Sequence, residues 1–114
     1  DGTCVRDYIH VEDLIDAHVK ALHASKPGSS AAYNLGIGRG HSVREIIAAV
    51  REVTGLEFPV RTEPRRDGDP PMLFADARKI QVELGWRAST TDLRVSIESA
   101  WSWFKNHPEG YGSV

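Results

Sequence analysis

Cysteine is all but missing from these 114 residues; Cys4 is the only one. No internal disulfide can form, which suits a reducing compartment and sets the expectation of a cytoplasmic protein. A single cysteine beside a strand reads as a small hydrophobe and not as a nucleophile. Metal-ligand spacing is missing as well. His10 and Asp13 lie close in sequence, but no Cys/His/carboxylate cluster at ligand spacing accompanies them, so they read as a structural histidine and a helix-start acid. His18, His23, His41 and His107 are scattered and carry no pattern. No apolar run approaches the ~20 residues of a membrane span, and no leader segment is expected. Nor does one sign of charge dominate. With 14 basic and 16 acidic residues the formal charge is −2, so nothing draws the whole chain to nucleic acid or to an anionic membrane, and any anion must be recognised locally. Repeats, low-complexity stretches and long linkers are absent, which makes residues 1–114 a single unit.

What is present alternates extended and helical patterns. Thr3 to Val11 is rich in β-branched residues and reads as a strand, with further short strands at Ala32 to Gly36 and Phe58 to Thr62. Glu12 to about Ser25 reads as a helix with Leu14, Ala17, Ala21 and Leu22 on one face. Ser42-Val43-Arg44-Glu45 has the form of a capping box, followed at helical spacing by Val43, Ile46, Ile47, Val50 and Val53, and stopped by Gly55. Burial of Ile46, Ile47 and Val50 is expected there. Asp76 can cap a short helix to Leu84, ended by Gly85. Thr91 or Asp92 can cap a last helix with the stripe Leu93, Ile97, Ala100, Trp101 and Phe104, and Pro108 lies beyond its end. Trp86, Trp101 and Trp103 fit packing better than stacking on a base. The fold class is thus α/β, with three short strands and about four helices.

Two segments carry chemistry. Arg6-Asp7-Tyr8-Ile9-His10-Val11-Glu12-Asp13-Leu14 places an arginine at the mouth of a strand, where its five donors form a fork suited to phosphate oxygens; the bland alternative leaves Arg6 and Asp7 solvated. Pro64-Arg65-Arg66-Asp67-Gly68-Asp69-Pro70-Pro71 sets a second arginine in a loop. Two loops that each offer an arginine suit a diphosphate. The turn Gly36-Ile37-Gly38-Arg39-Gly40-His41 invites a dinucleotide reading. The fingerprint needs its third glycine where His41 stands, and its strand should be a buried apolar run, which Ala32-Tyr33-Asn34-Leu35 is not.

Taken together with Tyr33-Asn34-Leu35-Gly36 and Gly38 to Glu45, these segments resemble the C-terminal part of the UDP-glucose 4-epimerases, which are extended short-chain dehydrogenase/reductases. The resemblance runs over essentially all residues. It implies that Arg6 and Arg66 grip the diphosphate of UDP-glucose or UDP-galactose, and that Tyr8 lies beside the same ligand. It also implies that Val43 packs on the uracil side and that Asp69 accepts hydrogen bonds from the ribose hydroxyls. A carboxylate can accept both donors of a vicinal diol. Arg65 and Asp67 are expected to be solvated. Leu73 occupies a position where an aromatic side chain would narrow the sugar pocket, so the resemblance implies room for N-acetylated hexoses.

The resemblance also implies an isomerase with bound NAD whose parent enzyme is a homodimer; the Rossmann domain that holds NAD is absent from these residues. Its chemistry needs a tyrosine base in Y-x-x-x-K. Tyr8 is followed four places on by Glu12, Tyr33 by Ile37, and Tyr111 by nothing. The isolated chain is therefore expected to be inactive. Two other readings stand beside this one: a portion of another nucleotide-sugar epimerase, dehydratase or decarboxylase, and a stand-alone nucleotide-sugar-binding module.

Overall fold

A computed structural model describes residues 1–112. Three short strands and four helices follow one another as β1 (Val5–Asp7), α1 (Val11–Ala24), β2 (Gly40–Ser42), α2 (Val43–Thr54), β3 (Met72–Leu73), α3 (Arg78–Leu84) and α4 (Leu93–Asn106). The sheet has the order β2-β1-β3. Strand β1 pairs antiparallel with β2, Arg6 facing His41, and parallel with β3, Arg6 facing Leu73.

The small α/β architecture and the four helices agree with the sequence; two of the three strands do not. Ala32 to Gly36 and Phe58 to Thr62 form no strand, and their places beside β1 are taken by Gly40–Ser42 and Met72–Leu73. Extended propensity becomes a strand only where a ladder partner completes it. Side chains hold these two segments instead. The Ala32 carbonyl accepts Lys79 Nζ at 2.9 Å, the Tyr33 hydroxyl donates to Glu83 at 2.9 Å, and the Phe58 carbonyl accepts Arg51 at 3.0 Å.

Helix ends follow local chemistry. His10 is the N-cap of α1, its Nδ1 accepting the Glu12 amide at 3.2 Å. Ser42 and Glu45 close the capping box on α2: Ser42 Oγ accepts the Glu45 amide at 3.2 Å and Glu45 Oε2 accepts the Ser42 amide at 2.6 Å. The Ser42 amide first, and the Ser42 hydroxyl donating to Glu45 Oε2 at 2.8 Å second, hold the Glu45 carboxyl below its usual range. Gly55 and Gly85 end α2 and α3 with φ of 68° and 63°, a left-handed conformation that costs glycine nothing. Asp92, not Thr91, caps α4 by accepting the Arg94 amide at 2.9 Å.

The core lies between α1 and α3, away from α2. Ala17, Ala77, Ile80 and Trp86 are its buried members, with Ile9, Tyr33, Leu35, Leu84 and Ala88 packed around them. Trp86 donates its indole N–H to the Asp13 carbonyl at 3.0 Å. The Asp13 carboxylate accepts the Ser89 hydroxyl at 2.6 Å, the Ser89 amide at 3.0 Å and the Thr90 amide at 2.9 Å. Burial pushes the Asp13 carboxyl up, but these donors and nearby His10 outweigh it and hold the group below its ordinary value.

Contrary to expectation, α2 buries no side chain fully; Ile46, Ile47 and Val50 are half-buried. Helix α2 packs on α4, and α4 offers it only half-buried Leu93, Ile97 and Trp101, while Ala100 and Phe104 stay exposed. Along α1, Val11, Ile15, Val19 and Leu22 form an exposed apolar stripe, Leu22 at 69%. The Cα radius of gyration is 16.9 Å, against about 13 Å for a compact chain of this length. Such an apolar stripe is large for an isolated soluble unit.

Candidate functional site

Strand β1, the start of α2 and the loop before β3 enclose an open cleft of about 790 Å³. Arg6, Val43, Arg66 and Asp69 all line it. Their convergence follows from the sheet. Strand β1 carries Arg6, β2 runs directly into α2 and so delivers Val43, and the loop with Arg66 and Asp69 leads into β3, its Pro71 carbonyl accepting the Val5 amide at 2.9 Å. Arg6 donates to Asp69 at 2.5 Å and to the Val5 carbonyl at 2.7 Å. Arg66 makes no side-chain hydrogen bond or ion pair among the described residues, which leaves its guanidinium available to an incoming anion. Arg65, expected to be solvated, also lines the cleft and reaches Thr3 Oγ1 at 3.4 Å. Arg44 on α2 lines it too but is engaged by the Asp1 carbonyl at 2.7 Å.

Tyr8 and Leu73 are not among the cleft-lining residues. Tyr8 is half-buried just past β1, and Leu73 lies beside Arg6 in the β1–β3 ladder, 57% exposed. Cys4 lines the cleft half-buried, as a small side chain among arginines.

Asp7 is the residue whose importance the sequence concealed. Its carboxylate accepts the amides of Ile37 and Gly38, each at 3.0 Å, and of Ala75 at 3.3 Å. A carboxylate within the segment that reads as a strand, Thr3 to Val11, where such residues are disfavoured, was the available signal. The same contacts decide the glycine turn. Two of its amides already serve Asp7, so they cannot cradle a dinucleotide pyrophosphate, and the turn is structural. Among the described residues no group of three or more His, Cys, Asp or Glu could hold a metal, and no helix is long and apolar enough to cross a membrane.

The sequence pattern of the GDP-mannose 4,6 dehydratase family matches residues 1–96. The chain belongs to this family. Among its relatives, UDP-glucose 4-epimerase of Halalkalibacterium halodurans is 48% identical over 99% of the chain and 34% of that protein. UDP-arabinose 4-epimerase 1 of Arabidopsis thaliana is 51% identical over 98% of the chain and 27% of its own length. A solved UDP-glucose 4-epimerase superposes with a TM-score of 0.86 at 48% identity, covering 99% of the chain and 35% of that structure. The Bifidobacterium longum UDP-glucose 4-epimerase, solved with NAD+ and UDP, gives 0.85 at 41% identity, covering 97% and 33%. This family member therefore spans about a third of the relatives it matches, and it corresponds to a C-terminal portion of them.

Proposed function

We propose that residues 1–114 are the C-terminal UDP-sugar-binding portion of an NAD-dependent UDP-sugar 4-epimerase. One observation carries this reading: Arg6, Val43, Arg66 and Asp69, drawn from three separate segments, line one cleft. In that cleft Arg6 and Arg66 bind the diphosphate from two walls, with charged hydrogen bonds stronger than neutral ones. Val43 covers the uracil and Asp69 accepts the ribose hydroxyls. In this reading Tyr8 lies beside the same ligand and Leu73 beside the sugar, although neither lines the cleft itself. NAD, held by a Rossmann domain outside these residues, takes up and returns the hydride at C4 of the sugar. The chain's own part is to hold the nucleotide still while the sugar turns over. The exposed stripe on α1 and the expanded radius of gyration fit a unit that shares its core with that larger domain.

Relatives at 48–51% identity act, by their names, on UDP-glucose or on UDP-arabinose, so the sugar is a hexose or a pentose. The exposed Leu73 favours tolerance at the hexose C2, which extends the substrates to N-acetylated UDP-hexoses. A cytoplasmic homodimer working in galactose metabolism is the setting this reading implies.

Joining the chain to the N-terminal two thirds of the H. halodurans epimerase tests it. The joined protein should interconvert UDP-glucose and UDP-galactose, while the chain alone binds UDP weakly and turns nothing over. Turnover of UDP-arabinose and of UDP-N-acetylgalactosamine, compared by kcat/KM, assigns the sugar. No turnover of any UDP-sugar, with no UDP binding by the chain, sinks the reading.

A further inference from the structure

We propose that Asp7, which touches no ligand, is the positioning residue that sets the distance between the two arginine-bearing walls of the cleft; this rests on the reading of the cleft as a UDP site. Strands β1 and β2 have three residues each and β3 has two, so their ladders supply few hydrogen bonds to hold the sheet in register. The Asp7 carboxylate adds three. It takes the Ile37 and Gly38 amides just before β2 and the Ala75 amide just after β3. An ionised carboxylate has acceptor capacity for all three, and such bonds are roughly twice as strong as neutral ones.

Alternation along β1 puts Asp7 on the face opposite Arg6, and Arg6 but not Asp7 lines the cleft. The contact is close-fitted. A Cβ on Gly36 would overlap the Asp7 carboxylate and stand 2.7 Å from Ala75 Cβ. A shift of β3 carries with it the preceding loop and hence Arg66 and Asp69. A shift of β2 carries Val43. One carboxylate behind the sheet thus governs both moving walls relative to Arg6.

The test compares the wild-type chain with Asp7→Asn, Asp7→Glu and, as a control in the core, Ile80→Val. Asparagine keeps the size but turns an NH2 toward at least one amide. Titration with UDP well below the melting temperature should show Asp7→Asn weakened roughly tenfold or more, the loss of about one charged hydrogen bond at the ligand. Amide exchange at Ile37 and Gly38 should quicken, and the amide signals of Arg66 and Asp69 should move. Asp7→Glu, which keeps the charge, should recover part of each change. Ile80→Val should lower the melting temperature and leave UDP affinity unmoved. Unchanged UDP affinity in Asp7→Asn, or a loss no greater than that of Ile80→Val, overturns the proposal. If Asp7→Asn does not fold, Asp7→Glu decides by the same comparison. If the wild-type chain binds no UDP, the reading of the site fails. Asp7 is then judged by exchange and by the Arg66 and Asp69 signals alone: shifts there uphold its positioning role, and their absence refutes it.

Discussion

Arg6 and Asp69, 63 residues apart in sequence, meet in an ion pair of 2.5 Å at the mouth of the cleft. Each group that the proposed ligand needs is therefore occupied by the other before the ligand arrives. A diphosphate must compete with Asp69 for Arg6, while a ribose diol needs Asp69 itself. Side-chain exposures of 26% and 40% keep the pair accessible to water and its net contribution to stability small.

Asp69→Asn therefore should separate two affinities. Pyrophosphate binding should tighten, because the competing negative charge is gone. The preference for UDP over pyrophosphate should shrink, because the diol loses an acceptor. Calorimetric titration of both ligands checks this, and parallel movement of the two affinities would contradict it.

Arg66→Ala should weaken UDP by about 10- to 150-fold, the equivalent of roughly 1.5–3 kcal/mol for a hydrogen bond to a charged group. Uridine, which lacks the diphosphate, should bind as before. Equal losses for UDP and uridine would place Arg66 away from the phosphates.

Asp13 predicts an acid limb in the stability curve. Its carboxyl lies below the ordinary value in the folded chain. The stability it contributes is therefore present above the unfolded pKa and lost as pH falls through the lower folded pKa. Melting temperatures should decline below about pH 4, where the unfolded carboxyl titrates. Asp13→Asn should cost about 1–3 kcal/mol at neutral pH by stranding a buried donor and should flatten that limb. A variant with an acid limb as steep as the wild type would assign the effect to other carboxylates.

Gly36→Ala should destabilise the chain by about 1–3 kcal/mol, the usual cost of forcing an extra carbon into a packed place. The reason is the Asp7 carboxylate beside it, not backbone conformation, since Gly36 is not among the glycines with positive φ. Thermal melts compare it with Gly38→Ala, where the added carbon meets nothing but φ is 71°. A neutral Gly36→Ala would mean that the Asp7 contact yields easily.

Local features were legible from residue order alone because their causes are local. The Ser42–Glu45 capping box, the stops at Gly55 and Gly85 and the periods of α2 and α4 depend on neighbours three or four places away. That Arg6 and the Arg66 loop line one cleft was expected for a different reason: among the chain's arginines, the family resemblance singles out these two for one diphosphate. Tertiary structure alone decided which extended segments became strands. Tyr33 and Phe58 have the side chains of a strand, yet Gly40–Ser42 and Met72–Leu73 won the ladder positions beside β1, because hydrogen-bond partners are set by where the chain returns. It alone also decided that Asp7 and Asp13, an apparent surface acid and an apparent helix-start acid, each gather three donors from distant loops. A carboxylate's type and neighbours in sequence do not say which amides will reach it; only the packed chain brings them within 3 Å or so.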